Sequence, residues 1–302
     1  MRIDPLHDLR GIITVLNTPF TEDDQIDLPG LEKNVEAAIG AGVAGFLVPA
    51  MASEVGKLSE AERGQLVESV VKIAAGRVPV IGGASAATET ERLQAAGRCI
   101  ELGCEGVLVS VPFEGEASYR RAIHAVAALE PGFLMIQDWD ATNYGLPVPL
   151  IVRLFEEIEV FRCLKVEVVP AGVKYSEVLE ATGGQLHVSG GWAVGQIIEG
   201  LDRGVHAFMP TGMHPLYTQI YKDYQAGRRD QARALFNQLA PVLAFSNQHL
   251  DISIHFFKRL LHAQGVYATP KVREPILPFD AHHEAIAKEH IACVIALETK
   301  TR

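Results

Sequence analysis

Short apolar runs alternate with amphipathic stretches along most of this chain, and the alternation predicts most of the fold. The runs at residues 11–17, 45–49, 78–82, 106–111, 133–137, 163–168, 185–189 and 207–210 have strand length and read as buried on both faces. Between them, residues 28–41, 60–75, 88–102, 117–129, 148–158, 172–181 and 193–203 repeat apolar positions at three- and four-residue spacing, as core-facing helices do. Gly40 and Gly42, Gly76, Gly103 and Gly204 follow these helices, where a left-handed cap turns the chain back toward a sheet. Strand and helix repeating in this order predict a (β/α)8 TIM barrel. An open doubly wound sheet is the alternative, but no GxGxxG follows the first strand and no Walker A motif occurs. From His214 onward the pattern is helical only, at 215–226, 230–243, 246–264 and 282–297. We expect a barrel over residues 1–225 and a C-terminal helical extension over 226–302, in one unit because no low-complexity linker divides them.

Composition narrows the classes. A net charge of −10 argues against nucleic acid and anionic membrane surfaces as partners. The four cysteines, Cys99, Cys104, Cys163 and Cys293, have no CxxC or zinc-like spacing and suit the reduced thiols of an intracellular protein. Met1-Arg2-Ile3-Asp4-Pro5 lacks a signal-peptide layout, and no run approaches the roughly 18 apolar residues of a membrane span. A cytoplasmic protein is expected.

The candidate chemistry lies in Cys163-Leu164-Lys165-Val166-Glu167-Val168-Val169. In a strand, Cys163, Lys165 and Glu167 share one face and Leu164, Val166 and Val168 the other. A buried lysine loses hydration, which favours the neutral amine that attacks a ketone to form a Schiff base. The competing reading is a lysine that snorkels to solvent or pairs with Glu167. Catalytic groups of a barrel sit at the carboxyl ends of its strands. Here those ends supply one lysine and no arginine in a largely apolar frame, which suits a small carbonyl substrate better than a phosphorylated one. Asp138 and Asp140 stand two apart, as a metal pair can, but no His or third carboxylate clusters with them, so no metal is expected. Ser189-Gly190-Gly191-Trp192 reads either as a loop against the substrate or as a tight turn. Trp139 and Trp192 would crowd the mouth of such a site.

The order of several segments resembles the dihydrodipicolinate synthase / N-acetylneuraminate lyase family of class I aldolases. They are Gly11-Ile12-Ile13-Thr14-Val15-Leu16-Asn17-Thr18-Pro19-Phe20 with Gln25-Ile26-Asp27, then Gly42-Val43-Ala44-Gly45-Phe46 with Ser53-Glu54 and Leu58-Ser59-Glu60-Ala61-Glu62-Arg63. Gly76-Arg77-Val78-Pro79-Val80-Ile81-Gly82-Gly83 follows, and Leu164-Lys165-Val166-Glu167 matches where the family places its Schiff-base lysine. The resemblance implies a (β/α)8 barrel, an imine at Lys165 with pyruvate or a 2-keto-3-deoxy sugar acid, no cofactor, and a homotetramer or homodimer.

Departures from the family pattern redirect the expected reaction. Ala50-Met51-Ala52-Ser53-Glu54 replaces Gly-Thr-Thr-Gly-Glu, so the threonine pair is gone and Ala52 and Ser53 are left to hold a carboxylate. Gln137-Asp138-Trp139-Asp140 replaces Tyr-Asn-x-Pro, so Gln137 stands where the family has its acid/base tyrosine; its amide orients but does not titrate. No arginine occupies the 141–145 loop. These losses argue against dihydrodipicolinate synthesis and toward the branch resembling 2-keto-3-deoxy sugar acid dehydratases and aldolases. Lys165, Gln137 and Glu167 are the expected catalytic residues, with Ala52, Ser53, Asp138, Ser189 and Gly190 on the substrate. Glu167 reads either as the acid for a leaving hydroxyl or as an electrostatic partner of Lys165. Tyr144 either replaces the missing tyrosine or packs. A catalytically inactive barrel that binds a keto acid as a sensor or structural protein is the alternative, and a metal-dependent lyase comes third.

Overall fold

The computed structural model describes residue 6 and residues 9–301; residues 1–5, 7, 8 and 302 and the side chains of Trp192 and Ala193 lie outside that description. Eight strands close into a barrel in sequence order, each followed by at least one helix. The elements are β1 (Gly11–Val15), α1 (Leu28–Ala41), β2 (Gly45–Val48), α2 (Glu60–Ala74), β3 (Val80–Gly83), α3 (Glu89–Glu101), β4 (Gly106–Val109) and α4 (Glu116–Ala127). The second half has β5 (Phe133–Asp140), α5 (Val148–Glu157), β6 (Phe161–Val168), α6 (Ala171–Ala181), β7 (His187–Gly190), α7 (Ile197–Asp202), β8 (Ala207–Phe208) and α8 (His214–Gln225). The helices α9 (Arg229–Ser246), α10 (Leu250–Ala263) and α11 (Ala281–Thr301) complete the chain. This is the (β/α)8 architecture read from the sequence. Among the described residues, no helix is long and apolar enough to cross a membrane.

Contacts group the residues into two compact units. One joins Pro79–Met209 to the segment ending at Ile13, and the other joins Thr14–Val78 to the chain from Pro210 onward. The C-terminal helices α9, α10 and α11 therefore group with α1, β2 and α2.

Local chemistry explains where the helices begin and end. Ser59 and Thr88 each accept the amide three residues on, while Glu62 and Glu91 return a bond to the cap amide. Asp27 caps α1 through the Gly30 amide, and Gly42 closes it in the left-handed conformation. The strands β1, β2 and β4 are buried at every position, as a parallel sheet covered on both faces requires.

Every strand differs from the pattern-based reading by one or more residues at an end, β5, β6 and β8 among them. β5 continues to Asp140 and β6 begins at Phe161, and their pairing holds register out to Asp140↔Val168. The polar residues that end β5 hid this extension. β8 is only two residues long, since Pro210 has no amide to donate to a ladder.

Among the buried histidines, His187, His206 and His214 lie against the barrel strands and α8. His187 and His206 stack with ring centroids 5.0 Å apart; His187 Nε2 donates to the Leu9 carbonyl at 2.7 Å, and His206 Nδ1 accepts the Val188 amide at 2.9 Å. His214 Nε2 donates to Asn34 Oδ1 at 3.1 Å, so its Nδ1 accepts from Thr14 Oγ1 at 3.2 Å. Burial of the charged form is the first cause in each case, and it lowers His187 to about 3 and both His206 and His214 to about 4. Because the folded-state values lie below the unfolded value of roughly 6.5, their contribution is complete above pH 6.5 and is lost as pH falls toward 4. Each group costs on the order of 1 kcal/mol per pH unit in that window. Urea unfolding midpoints should therefore drop steeply between pH 6.5 and 4.5, above the range where most carboxylates titrate. A flat midpoint across that window contradicts the assignment.

Candidate active site

The alternation of β6 does what its sequence requires. Leu164, Val166 and Val168 pack into the core, while Lys165 and Glu167 share the other face. Lys165 is only 5 % exposed, and its Nζ lies 3.1 Å from Glu167 Oε2. The register sets Gln137 of β5 directly beside Lys165, and Gln137 Nε2 donates to the same Glu167 oxygen. One carboxylate oxygen thus receives both an ammonium and an amide. The expected catalytic trio comes together in space.

Ser189 pairs with Lys165 across the β6–β7 ladder and Gly190 with Val166. The Ser189 hydroxyl lies 3.4 Å from the Leu164 carbonyl, and the Gly190 carbonyl accepts the Met209 amide at 2.8 Å. Both residues thus stand beside the lysine strand, with these groups engaged by neighbouring backbone.

Asp138 faces away from Gln137, as strand alternation dictates. Its Oδ1 accepts the Leu146 amide at 2.8 Å and its Oδ2 lies 3.2 Å from Lys174 Nζ on α6. Burial raises its pKa, with Lys174 opposing. Lys174 is fully buried and also donates to the carbonyls of Tyr144 and Leu146. Gly145 stands at φ +67°, where a Cβ would fall 2.6 Å from Val168 Cγ1 and closer still to Asp138 Oδ1. Asp138 and Lys174 therefore bolt the 141–146 loop onto the ends of β5 and β6. Tyr144, in that loop, donates its hydroxyl to Glu177 at 2.7 Å and lies under Lys174, so it packs against α6. Asp140 Oδ1 accepts the amides of Thr142 and Asn143, and the two aspartates do not converge on one point. Trp139 is half exposed.

Ala52 and Ser53 belong to the other unit, in a 3-10 turn after β2. Ser53 Oγ donates to the Leu16 carbonyl at 2.5 Å and accepts the Ala50 amide at 2.9 Å; the Ala52 carbonyl accepts from Asn17 at 2.7 Å. Beside them Glu54 pairs with the buried Lys258 of α10, whose Nζ also donates to the Lys271 carbonyl at 2.8 Å and sits 4.2 Å from the Phe20 ring. Burial lowers Lys258 to about 8.

Lys174 and Lys258 escape a reading of the sequence, because each looks like one more helix-surface lysine. They set a contrast with Lys165. Among the described residues three lysines are buried, but Lys174 and Lys258 have no side-chain exposure and are pinned by carbonyls and carboxylates. Lys165 keeps 7 % of its side chain open, and Glu167 is its ion-pair partner. A lowered pKa, as at Lys258, does not make a nucleophile that no ketone can reach. Of the three, Lys165 alone keeps side-chain exposure.

The comparisons with known proteins agree with the architecture. The model of the Dihydrodipicolinate synthetase family matches residues 8–292. An L-2-keto-3-deoxyarabonate dehydratase of Azospirillum brasilense is 28% identical over 285 residues, covering 88% of this chain and 88% of the relative. A 4-hydroxy-tetrahydrodipicolinate synthase of Sorangium cellulosum is 33% identical over 153 residues, covering 49% and 48%. The structure of a 4-hydroxy-tetrahydrodipicolinate synthase from Methylacidiphilum fumariolicum superposes with a TM-score of 0.85 at 21% identity, covering 97% of this chain and 98% of that one. Since the family match runs through both units and nearly the whole length, the chain belongs to the dihydrodipicolinate synthetase family of aldolases and lyases.

Proposed function

We propose that this enzyme dehydrates a 2-keto-3-deoxy sugar acid through a Schiff base on Lys165. The observation that carries the reading is the Glu167 carboxylate held 3.1 Å from the lysine amine, with Gln137 fixing it there. The first step is proton transfer from the ammonium to Glu167 or to water, which frees the amine. Nζ then adds to the C2 ketone, and the carbinolamine hydroxyl leaves as water with the proton returned from Glu167 or from solvent, which gives a protonated imine and restores the carboxylate. The imine draws electrons, so Glu167 takes a proton from C3 and the C–H pair becomes an enamine. The enamine returns its electrons, the C4 hydroxyl leaves, and the carboxyl of Glu167 protonates it to water. Hydrolysis of the conjugated imine releases product and regenerates Lys165. Retro-aldol cleavage of C3–C4 would start from the same imine; the dehydratase name of the relative at 28% identity supports the elimination branch.

The test is borohydride reduction in the presence of pyruvate, followed by intact mass and peptide mapping. A stable adduct on Lys165 supports the imine, and 2-keto-3-deoxy acids are then assayed for products lighter by one water. Pyruvate plus an aldehyde among the products would move the assignment to the aldolase branch. Absence of any adduct with a panel of 2-keto acids would sink the mechanism and leave a keto-acid-binding barrel.

Glu167→Gln is expected to keep the pyruvate adduct while slowing dehydration by about 10²–10³, the range for losing a general acid/base. Dehydration at the wild-type rate would reduce Glu167 to an electrostatic partner.

A further inference from the structure

The chain turns from β7 through Gly191, whose missing side chain is filled by another residue. A Cβ built on Gly191 would fall 2.5 Å from Glu167 Cγ and closer still to Cδ and Oε1. The end of the Glu167 side chain thus lies in the space that any residue other than glycine would claim. Its other oxygen, Oε2, reaches Lys165 Nζ and accepts from Gln137. The Gly191 amide is tied to the Val166 carbonyl at 3.4 Å, so β7 is anchored to β6 one residue before Glu167. A methyl group here has little freedom to retreat, and the carboxylate must give way.

We infer that Gly191 is a positioning residue: by carrying no side chain it gives Glu167 the berth from which Oε2 meets the amine of Lys165. Gln137 holds one oxygen of the carboxylate from β5, and Gly191 admits the other over β7. Because the three atoms that a Cβ on Gly191 would meet first all belong to Glu167, filling the berth should separate imine formation from proton transfer. The mechanistic part of this inference rests on the function proposed above.

The experiment compares wild type, Gly191→Ala, Glu167→Ala and the double variant, with circular dichroism to verify folding. The first readout needs no substrate. Cyanate carbamylates free amines, and peptide mapping reports the rate at Lys165 in each protein. Releasing the amine from its carboxylate should raise that rate about threefold or more in Gly191→Ala and equally in Glu167→Ala, with no further rise in the double variant. In the second readout, Gly191→Ala keeps the borohydride-trapped pyruvate adduct but loses about 100-fold in dehydration, and adds little to that loss when Glu167 is already alanine. Carbamylation of Gly191→Ala at the wild-type rate, or effects of the two substitutions that multiply, would overturn the inference. If wild type traps no keto acid but the carbamylation pattern holds, the proposed reaction fails and the positioning of Glu167 stands.

Discussion

Lys165→Met is expected to abolish adduct formation and to lower turnover by roughly 10⁴–10⁶, as loss of a covalent nucleophile does. Methionine fills a similar volume and carries no amine, so the strand is kept while the chemistry is removed. The substitution also strands Glu167, whose side chain is only 6 % exposed, with Gln137 still donating to it. Some loss of stability, on the order of 1–3 kcal/mol, should accompany the loss of activity. Unfolding curves separate the two effects: a folded, inactive Lys165→Met protein is the expected result. Lys174 and Lys258 serve as internal controls, because their peptides should carry no borohydride adduct even at long reaction times. An adduct mapping to either, or activity surviving in Lys165→Met, would contradict the assignment of the nucleophile.

Much of this was legible in the sequence, for physical reasons that vary by residue. The barrel repeats one pattern eight times, and each short apolar run flanked by an amphipathic stretch reinforces the others. Lys165 and Glu167 were readable as neighbours because strand alternation is a local rule that needs no knowledge of the rest of the fold. Gln137 joined them only through the resemblance, and the β5–β6 register accounts for the contact. The path of β5 past Gln137 was hidden, since Asp138-Trp139-Asp140 reads as a loop until its ladder partners on β6 are known. The partners of Asp138 were hidden for a related reason: Lys174 is 36 positions further along, on helix α6, and nothing in Val173-Lys174-Tyr175 marks that lysine as buried. Gly191 reads in the sequence as part of a substrate loop or a tight turn, and nothing there points to Glu167. Its role lies in the atoms it lacks, and only the position of Glu167 reveals it.

The second large effect is on folding, at Lys174. Its ammonium and the Asp138 carboxylate are 0% and 1% exposed, so removing either partner leaves a charge in the core. Lys174→Met should cost about 3–5 kcal/mol, the range for breaking a buried pair from one side. The loss also releases the carbonyls of Tyr144 and Leu146, and with them the loop that follows β5. Asp138 supplies a check on sign. Its pKa is already raised by burial, and the Lys174 charge is the largest effect opposing that rise, so Lys174→Met should raise it further. The folded variant then binds a proton that the unfolded chain has released at neutral pH, and the penalty of Lys174→Met should shrink as pH falls from 7 toward 5. Adding Asp138→Asn to Lys174→Met removes the stranded charge and should recover about half of the lost stability, with the asparagine oxygen still accepting the Leu146 amide. Urea unfolding of the two single variants and the double variant at pH 7 and pH 5 measures all of this. A Lys174→Met protein within about 1 kcal/mol of wild type at pH 7 would mean that the carbonyls and carboxylate around the ammonium are satisfied without it, and the bolt between α6 and the β5 loop would have to be abandoned.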